Sequence, residues 1–245
     1  MRDYKQEFES RVNFIRELLA ASGAKGIVFG NSGGKDCALV GILCKAACEN
    51  TLGLILPCSS RRNYELDAND GRALADKFHI ETRLLDVSPV KEALLAQLAG
   101  VTEVSHMADV NIAPRLRMTA LYAIAASENR LVAGTGNRSE AYVGYYTKWG
   151  DGAHDFNPIS DLTVREVYEF LRYLGAPACI IEKAPSAGLF DGQTDEQEMG
   201  FKYADLDEFL LTGSTNDKAL DIIRRMHRGS AHKRAPIKTY ENSSV

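Results

Sequence analysis

Gly30-Asn31-Ser32-Gly33-Gly34-Lys35-Asp36 is the stretch whose reading decides the fold. The apolar run Gly26-Ile27-Val28-Phe29 precedes it, and the apolar-periodic segment beginning Cys37-Ala38-Leu39-Val40 follows it. The order strand, glycine-rich turn, helix is therefore predicted. Such a turn points backbone N–H groups and the positive end of a helix at one spot, which suits a phosphate. Ser32 adds a hydroxyl donor, and Asp36 stands where a carboxylate can hold a metal ion against that phosphate. The competing reading is an ordinary strand-to-helix turn that uses glycine only for positive φ. The rest of the chain decides between them.

On the N-terminal side, residues 3–22 carry Tyr4, Phe8, Val12, Ile15, Leu18 and Leu19 at helical spacing and end at Ser22-Gly23. This helix reads as a packing element. On the C-terminal side, the helix after the glycine turn runs to about Asn50, and Thr51 to Leu56 reads as a second buried strand stopped by Pro57. The polar loop Cys58-Ser59-Ser60-Arg61-Arg62-Asn63 then sits at a strand's C-terminal end, where ligands bind on open parallel sheets. A helix is predicted over 64–78, a third strand over 80–87, and a further helix capped by Ser88-Pro89 with proline in its first turn. After Gly100 a polar linker is expected to about Asn111, then a helix over 112–128 and a fourth strand over 131–134. Strands alternating with helices argue for an α/β fold, a doubly wound, mostly parallel sheet with helices on both faces. A helix opened by Asp161 is predicted over 161–174, with others at 205–212 and 215–228. The chain has no internal repeats, so residues 1–245 read as a single domain.

Two stretches lack regular periodicity. Residues 141–160 mix tyrosines, charges and glycines, among them Tyr145, Lys148, Trp149, Asp151 and Asp155. That composition suits a planar, charged ligand, and equally a packed surface loop. Residues 183–196 form a long aperiodic segment, a feature more often functional than not in a compact domain. The basic residues Arg224, Arg225, His227, Arg228 and His232-Lys233-Arg234 crowd the C-terminal end and read in isolation as a solvated face.

Composition sets bounds on function. A chain of 245 residues with 45% hydrophobic content can bury a full core. A net charge of −4 gives no overall basic field for nucleic acid. No apolar run approaches the ~20 residues of a membrane span, and the charged N-terminus lacks the apolar stretch of a signal peptide. A cytoplasmic protein is expected. Of the five cysteines, Cys37, Cys44 and Cys48 fall on one face of the second helix and read as packing residues, and the odd count argues against a disulfide framework.

Several strings together carry a resemblance. Ser32-Gly33-Gly34-Lys35-Asp36 is similar to the Ser-Gly-Gly-x-Asp pyrophosphatase loop of the ATP pyrophosphatases, the adenine nucleotide alpha-hydrolase-like superfamily. Within it, five further strings resemble the ammonia-dependent NAD synthetases. They are Asn111-Ile112-Ala113-Pro114-Arg115-Leu116-Arg117-Met118, Gly134-Thr135-Gly136-Asn137-Arg138-Ser139-Glu140, Thr147-Lys148-Trp149-Gly150-Asp151-Gly152, Pro185-Ser186-Ala187-Gly188-Leu189 and His232-Lys233-Arg234. The resemblance runs from about residue 5 to residue 238.

It implies amidation of deamido-NAD by ammonia, driven by ATP through an acyl-adenylate, with release of AMP and pyrophosphate. It places Ser32, Gly33, Gly34, Lys35 and Asp36 at ATP, together with Thr135, Ser186, His232 and Lys233. Asp36 and Glu140 are implied ligands of Mg2+, and Arg115, Tyr145, Lys148, Asp151 and Asp155 are implied contacts of deamido-NAD. Asp36, Lys148 and Lys233 are the implied catalytic residues, and a homodimer is the implied assembly. The chemistry is consistent with these residues. A carboxylate is a poor acyl donor until transferred to AMP, and attack at the α-phosphorus requires screening of the charge of ATP.

Three departures accompany the resemblance. Cys37 stands where the family usually has serine, which removes one hydroxyl donor. Val164 stands where many members have a lysine near the phosphates, leaving Lys35, Lys148 or Lys233 as candidate substitutes. No glutaminase domain accompanies the synthetase, so free ammonia is the expected nitrogen source. Two other readings remain: an ATP pyrophosphatase acting on tRNA, which would call for a basic face or paired cysteines, and a non-catalytic ATP sensor, which would have lost Asp36 and Glu140.

Overall fold

The computed structural model describes residues 2–58, 66–183 and 195–240. Strand β1 (Gly26–Gly30) lies inside a four-stranded sheet of order β3-β2-β1-β4, with β2 (Thr51–Ile55), β3 (Glu81–Leu84) and β4 (Arg130–Ala133). All three pairings are parallel, with Val28 opposite both Leu52 and Val132. Because side chains alternate along a strand, Ile27 and Phe29 enter the core on one face while Val28 enters the core on the other. The apolar strands β1 and β2 are accordingly covered on both sides, whereas edge strand β3 is mostly exposed and carries Glu81 and Arg83.

Helices cover both faces, as the doubly wound reading expects. On one side α1 (Tyr4–Ser22) packs on α2 (Lys35–Ala47), and α2 on α7 (Val164–Tyr173), around Phe29, Leu39, Leu43 and Phe170. Helices α3 (Ala68–Phe78) and α8 (Ala178–Ile181) also contact α2. On the opposite side α5 (His106–Glu128) lies over β1 and β4, with α4 (Ser88–Leu98) beside it. A third cluster joins α6 (Arg138–Val143) to α9 (Asp195–Met199), α10 (Tyr203–Thr212) and α11 (Asp217–Gly229), through Val143, Met199, Leu206 and Ile223. The short α12 (Ala231–Arg234) follows. Cys37 and Cys44 are buried in the first core and Cys48 packs against it, so the cysteine face is a packing face. All five cysteines are free thiols.

Two helix starts differ from the sequence reading. Helix α5 begins at His106, inside the expected linker, because Ser105 Oγ accepts from Ala108 N–H and caps it. Pro114 therefore sits within the helix rather than in its first turn. Helix α7 starts at Val164, not at Asp161. Thr163 Oγ1 accepts from Glu166 N–H at 3.3 Å while Glu166 Oε2 accepts from Thr163 N–H at 2.8 Å, a reciprocal cap.

Asp161 instead joins the N-terminal segment to the domain, accepting from Arg11 Nη1 at 2.7 Å and from Arg2 Nη1 at 2.9 Å. Burial works against its charge, but the two guanidiniums outweigh it and hold the carboxyl below the ordinary 3.8. Glu166, bonded to Arg2, is likewise held below 4.5 although burial opposes it. A carboxylate depressed in the folded state contributes stability that is complete above its ordinary pKa and is lost as pH falls through the folded value. Acidification from about pH 5 to about pH 2 is therefore expected to remove stability through this pair. Asp161→Asn, measured by thermal unfolding across that interval, should show a shallower dependence than the parent. Parallel curves would contradict the assignment.

Chain order also locates the ligand-binding crevice. From β1 the chain adds β2 and β3 on one side, then crosses to place β4 on the other. The crevice beyond the C-terminal ends of β1 and β4 is the switch point of the sheet, where open α/β folds bind ligands.

Candidate active site

The glycine turn and residues 134–140 meet at this crevice. Gly34 is the N-cap of α2 and offers no side-chain cap, so the first turn presents its N–H groups without a capping side chain. Gly33 has φ +69°, and a Cβ added there would lie 2.3 Å from the Asp67 carbonyl oxygen and 2.8 Å from Asp70 Cβ. Glycine is required both by conformation and by space. Ser32 Oγ accepts from Gly34 N–H at 3.3 Å and lies 3.1 Å from Cys37 Sγ. Burial raises the Cys37 pKa, so the thiol stays protonated, held between the side chains of Ser32 and Thr135.

Acidic groups gather behind the turn. Lys35 is 7% exposed, and its Nζ lies 2.6 Å from Asp36 Oδ2 and 3.7 Å from Glu140 Oε1. Burial disfavours its charge, yet the two carboxylates hold its pKa above the ordinary lysine value. Burial and the charge of Asp36 push the Glu140 carboxyl up to about 8, against the pull of Lys35. Asp195 adds further negative potential and accepts from Tyr203 Oη at 3.1 Å. Asn137, fully buried, donates from Nδ2 to Asp36 Oδ1 at 3.0 Å and caps α6 at Glu140. Among the described residues no trio of His, Cys, Asp or Glu is arranged as a metal site. The donor set nevertheless fits Mg2+. Asp36 and Glu140 supply hard oxygen donors crowded enough to protonate one of them, and Mg2+ commonly takes its remaining ligands from phosphate and water.

A cavity of about 570 Å³ opens from here. Of the residues singled out in the sequence, Ser32, Gly34, Lys35, Asp36, Thr135 and Glu140 line it. Tyr145, Asp151 and Lys233 line it as well. Tyr145 Oη donates to Glu198 Oε2 at 2.7 Å, and Asp151 Oδ1 accepts from Thr147 N–H at 3.0 Å. Lys233 Nζ donates to the carbonyls of Gly144 and Tyr146 and lies 5.1 Å from the Tyr146 ring centroid. Burial lowers its pKa.

Arg115, Lys148, Asp155 and His232 stand outside the lining. Arg115 is exposed and donates to the Lys148 carbonyl at 3.3 Å. Lys148 Nζ donates to the His232 carbonyl at 2.7 Å. Asp155 accepts from Tyr122 Oη at 3.1 Å and from Val132 N–H at 2.7 Å, which extends the pairing of β4. Ser186 and most of the 183–196 segment lie outside the described residues, as do residues 59–65. In the basic string, Arg224, Arg225 and Arg228 are exposed, whereas His227 stacks on Tyr142 with ring centroids 4.1 Å apart.

Three residues given no role from the sequence enter the site. Asn137 is one. Lys183 is the second: its Nζ bonds Asp67 at 2.7 Å and Asp70 at 2.6 Å at the cavity wall, next to Gly33. His154 is the third, packed against Gly134 with Nδ1 buried and no hydrogen-bond partner for it among the described residues. Val164 is 4% exposed in the third core cluster, so at this position the chain has packing where a cation was expected. Lys183, just after α8, reaches the cavity wall, where its charge is matched by Asp67 and Asp70. The sequence reading left residues 135–140 as the end of the fourth strand and predicted no helix there, although Asn137-x-x-Glu140 is the pattern of the capping box that starts α6; no local pattern marked Lys183 or His154.

Comparison with known proteins agrees with this geometry. The family model for NAD synthase matches residues 7–243. The NH(3)-dependent NAD(+) synthetase of Carboxydothermus hydrogenoformans is 48% identical over 235 residues, covering 95% of this chain and 96% of the relative. Among solved structures, an NMN synthetase from Francisella tularensis superposes with a TM-score of 0.93 at 38% identity, covering 99% of this chain and 100% of that one. The NH3-dependent NAD synthetase from Campylobacter jejuni, in complex with nitrate, superposes with a TM-score of 0.79 at 30% identity, covering 98% and 100%. With a parallel α/β sheet, a phosphate-type turn at its switch point and these relatives along nearly its whole length, the chain belongs to the NAD synthase family.

Proposed function

We propose that the protein is a ligase that amidates deamido-NAD with ammonia at the expense of ATP. The observation that carries this reading is the uncapped, glycine-rich start of α2, which with its own Asp36 and with Glu140 of α6 lines one cavity. In the first step a nicotinate carboxylate oxygen attacks the α-phosphorus of ATP, and the bond to pyrophosphate breaks. In the second, ammonia attacks the acyl carbon, and AMP leaves with the electron pair of the acyl–oxygen bond. Neither step needs a protein nucleophile. The residues contribute position and charge instead.

The turn at Ser32, Gly33 and Gly34 would receive the pyrophosphate end of ATP, with Lys35, Thr135, Ser186, His232 and Lys233 as further ATP contacts. Asp36 and Glu140 would hold Mg2+, which when bound neutralises charge developing on the phosphates. Tyr145 and Asp151 would face deamido-NAD from the cavity wall, with Arg115, Lys148 and Asp155 supporting that side. Lys148 and Lys233 would supply positive charge during adenylation. Free ammonia is the nitrogen source in this reading, as the name of the NH(3)-dependent relative suggests.

A homodimer fits the exposed apolar surface of α4, where Val90 is 54% and Leu94 39% exposed. No helix among the described residues is long and apolar enough to cross a membrane. Five free thiols suit the reducing cytoplasm in which we place the enzyme.

A second reading changes only the acyl substrate. The superposition on an NMN synthetase, with a TM-score of 0.93, favours testing nicotinate mononucleotide beside the dinucleotide. Purified protein with ATP, Mg2+ and ammonium is expected to give NAD from deamido-NAD at a higher kcat/KM than NMN from nicotinate mononucleotide. The reverse preference would transfer the assignment to the mononucleotide, and no amidation of either would overturn it.

A further inference from the structure

We propose that Asn137 is a positioning residue that sets the spacing between Asp36 and Glu140 before any ligand arrives. This rests on the assignment of those two carboxylates to Mg2+. Asn137 is 0% exposed, and its side-chain amide and backbone N–H point to the two acids, while its carbonyl accepts from Ala141 N–H within the helix. Its Nδ2 donates to Asp36 Oδ1 at 3.0 Å, its Oδ1 accepts from Glu140 N–H at 3.0 Å, and its own N–H donates to Glu140 Oε2 at 3.1 Å. Asp36 belongs to α2 and Glu140 to α6, two helices that grow from different strands of the sheet. One side chain thus ties the glycine turn of β1 to the turn of β4.

A plain helix cap explains only part of this. Capping requires an acceptor for Glu140 N–H, which serine, threonine or aspartate would provide about as well. It does not require a donor aimed at Asp36. A serine or threonine hydroxyl both accepts and donates, but its oxygen stands one atom nearer the backbone than Nδ2; asparagine holds its acceptor at Glu140 N–H and its donor 3.0 Å from Asp36 Oδ1 at the same time. Lys35 also bridges the pair, but unevenly, at 2.6 Å from Asp36 and 3.7 Å from Glu140. Because its ammonium is a flexible point charge, it neutralises the carboxylates without fixing their separation. The directional bonds of Asn137 fix that separation, so the two oxygens are held in place rather than assembled around the ion.

Asn137→Ser separates the two roles, because it keeps a cap at Glu140 N–H while its shorter side chain withdraws the donor from Asp36. Calorimetry of ATP binding, with Mg2+ and in excess EDTA, gives a readout independent of turnover. The expected result is Mg2+-dependent ATP binding weakened about tenfold, the scale of one charge-assisted hydrogen bond. The half-activating Mg2+ concentration should rise in parallel, while ATP binding in EDTA and KM for deamido-NAD stay at parental values. If Asn137→Ser does not fold stably, Asn137→Thr carries the same expectation. Parental Mg2+ dependence in the folded variant would overturn the proposal and leave Asn137 a helix cap. Failure of the underlying assignment looks different: the parent protein itself would then bind ATP without regard to Mg2+.

Discussion

Asp36→Asn is expected to lower kcat about a thousandfold while leaving a folded protein. Asp36 takes part in both networks of the site, accepting from Lys35 and from Asn137. Replacement by an amide removes a charge where phosphate charge must be neutralised, a loss on the order of 4 kcal/mol in the barrier. The fold should survive because the acids back each other up. The charge of Asp36 is one reason the Glu140 carboxyl is pushed up to about 8; without it Glu140 ionises more readily and remains a partner for Lys35. Steady-state kinetics together with circular dichroism check both halves. Activity within about threefold of the parent would remove Asp36 from the proposed metal site, and loss of structure would show that its role is to neutralise Lys35.

Gly33→Ala carries the largest expected effect on stability. At φ +69° an alanine pays about 1–2 kcal/mol in backbone strain. Its Cβ would also lie 2.3 Å from a backbone oxygen of Asp67, which cannot rotate away as a side-chain end could. Relief requires moving either the turn or the start of α3, and with α3 goes the Asp67–Asp70–Lys183 cluster. A destabilisation of about 3 kcal/mol is expected, which in a chain of this size lowers Tm by about 6–12 °C. The ATP site should weaken with it, because the N–H groups of the turn no longer converge. A thermal unfolding curve within about 2 °C of the parent would show that the close approach relaxes without cost.

The contrast between legible and hidden features follows the range of the interactions involved. The strand, turn and helix at residues 26–47 were legible because each signal is local: an apolar run, paired glycines, then a helical period. Residues 161–174 read as a helix for the same reason. Its start did not, because Asp161 and Thr163 are both good caps and only the long-range pairing of Asp161 with Arg2 and Arg11 decides between them. Helix α5 was read short because the residues after Gly100 are polar and read as a linker to about Asn111, which hid the start at His106. At the site, the cap pattern of Asn137 and Glu140 went unread, and the bond from Asn137 to Asp36 spans 101 residues of sequence. Val164 looked like a missing cation, whereas its environment is an apolar cluster drawn from α6, α9, α10 and α11. Lys183 reaches the cavity wall already paired with Asp67 and Asp70, contacts 116 and 113 residues away in sequence that local spacing does not show.

The reaction class is tested most directly by its products. With ATP, Mg2+, deamido-NAD and ammonium, the expected outcome is NAD, AMP and pyrophosphate in equal amounts, formed together and dependent on the dinucleotide. ADP and inorganic phosphate in place of AMP and pyrophosphate would contradict adenylation and, with it, the role given to the glycine turn.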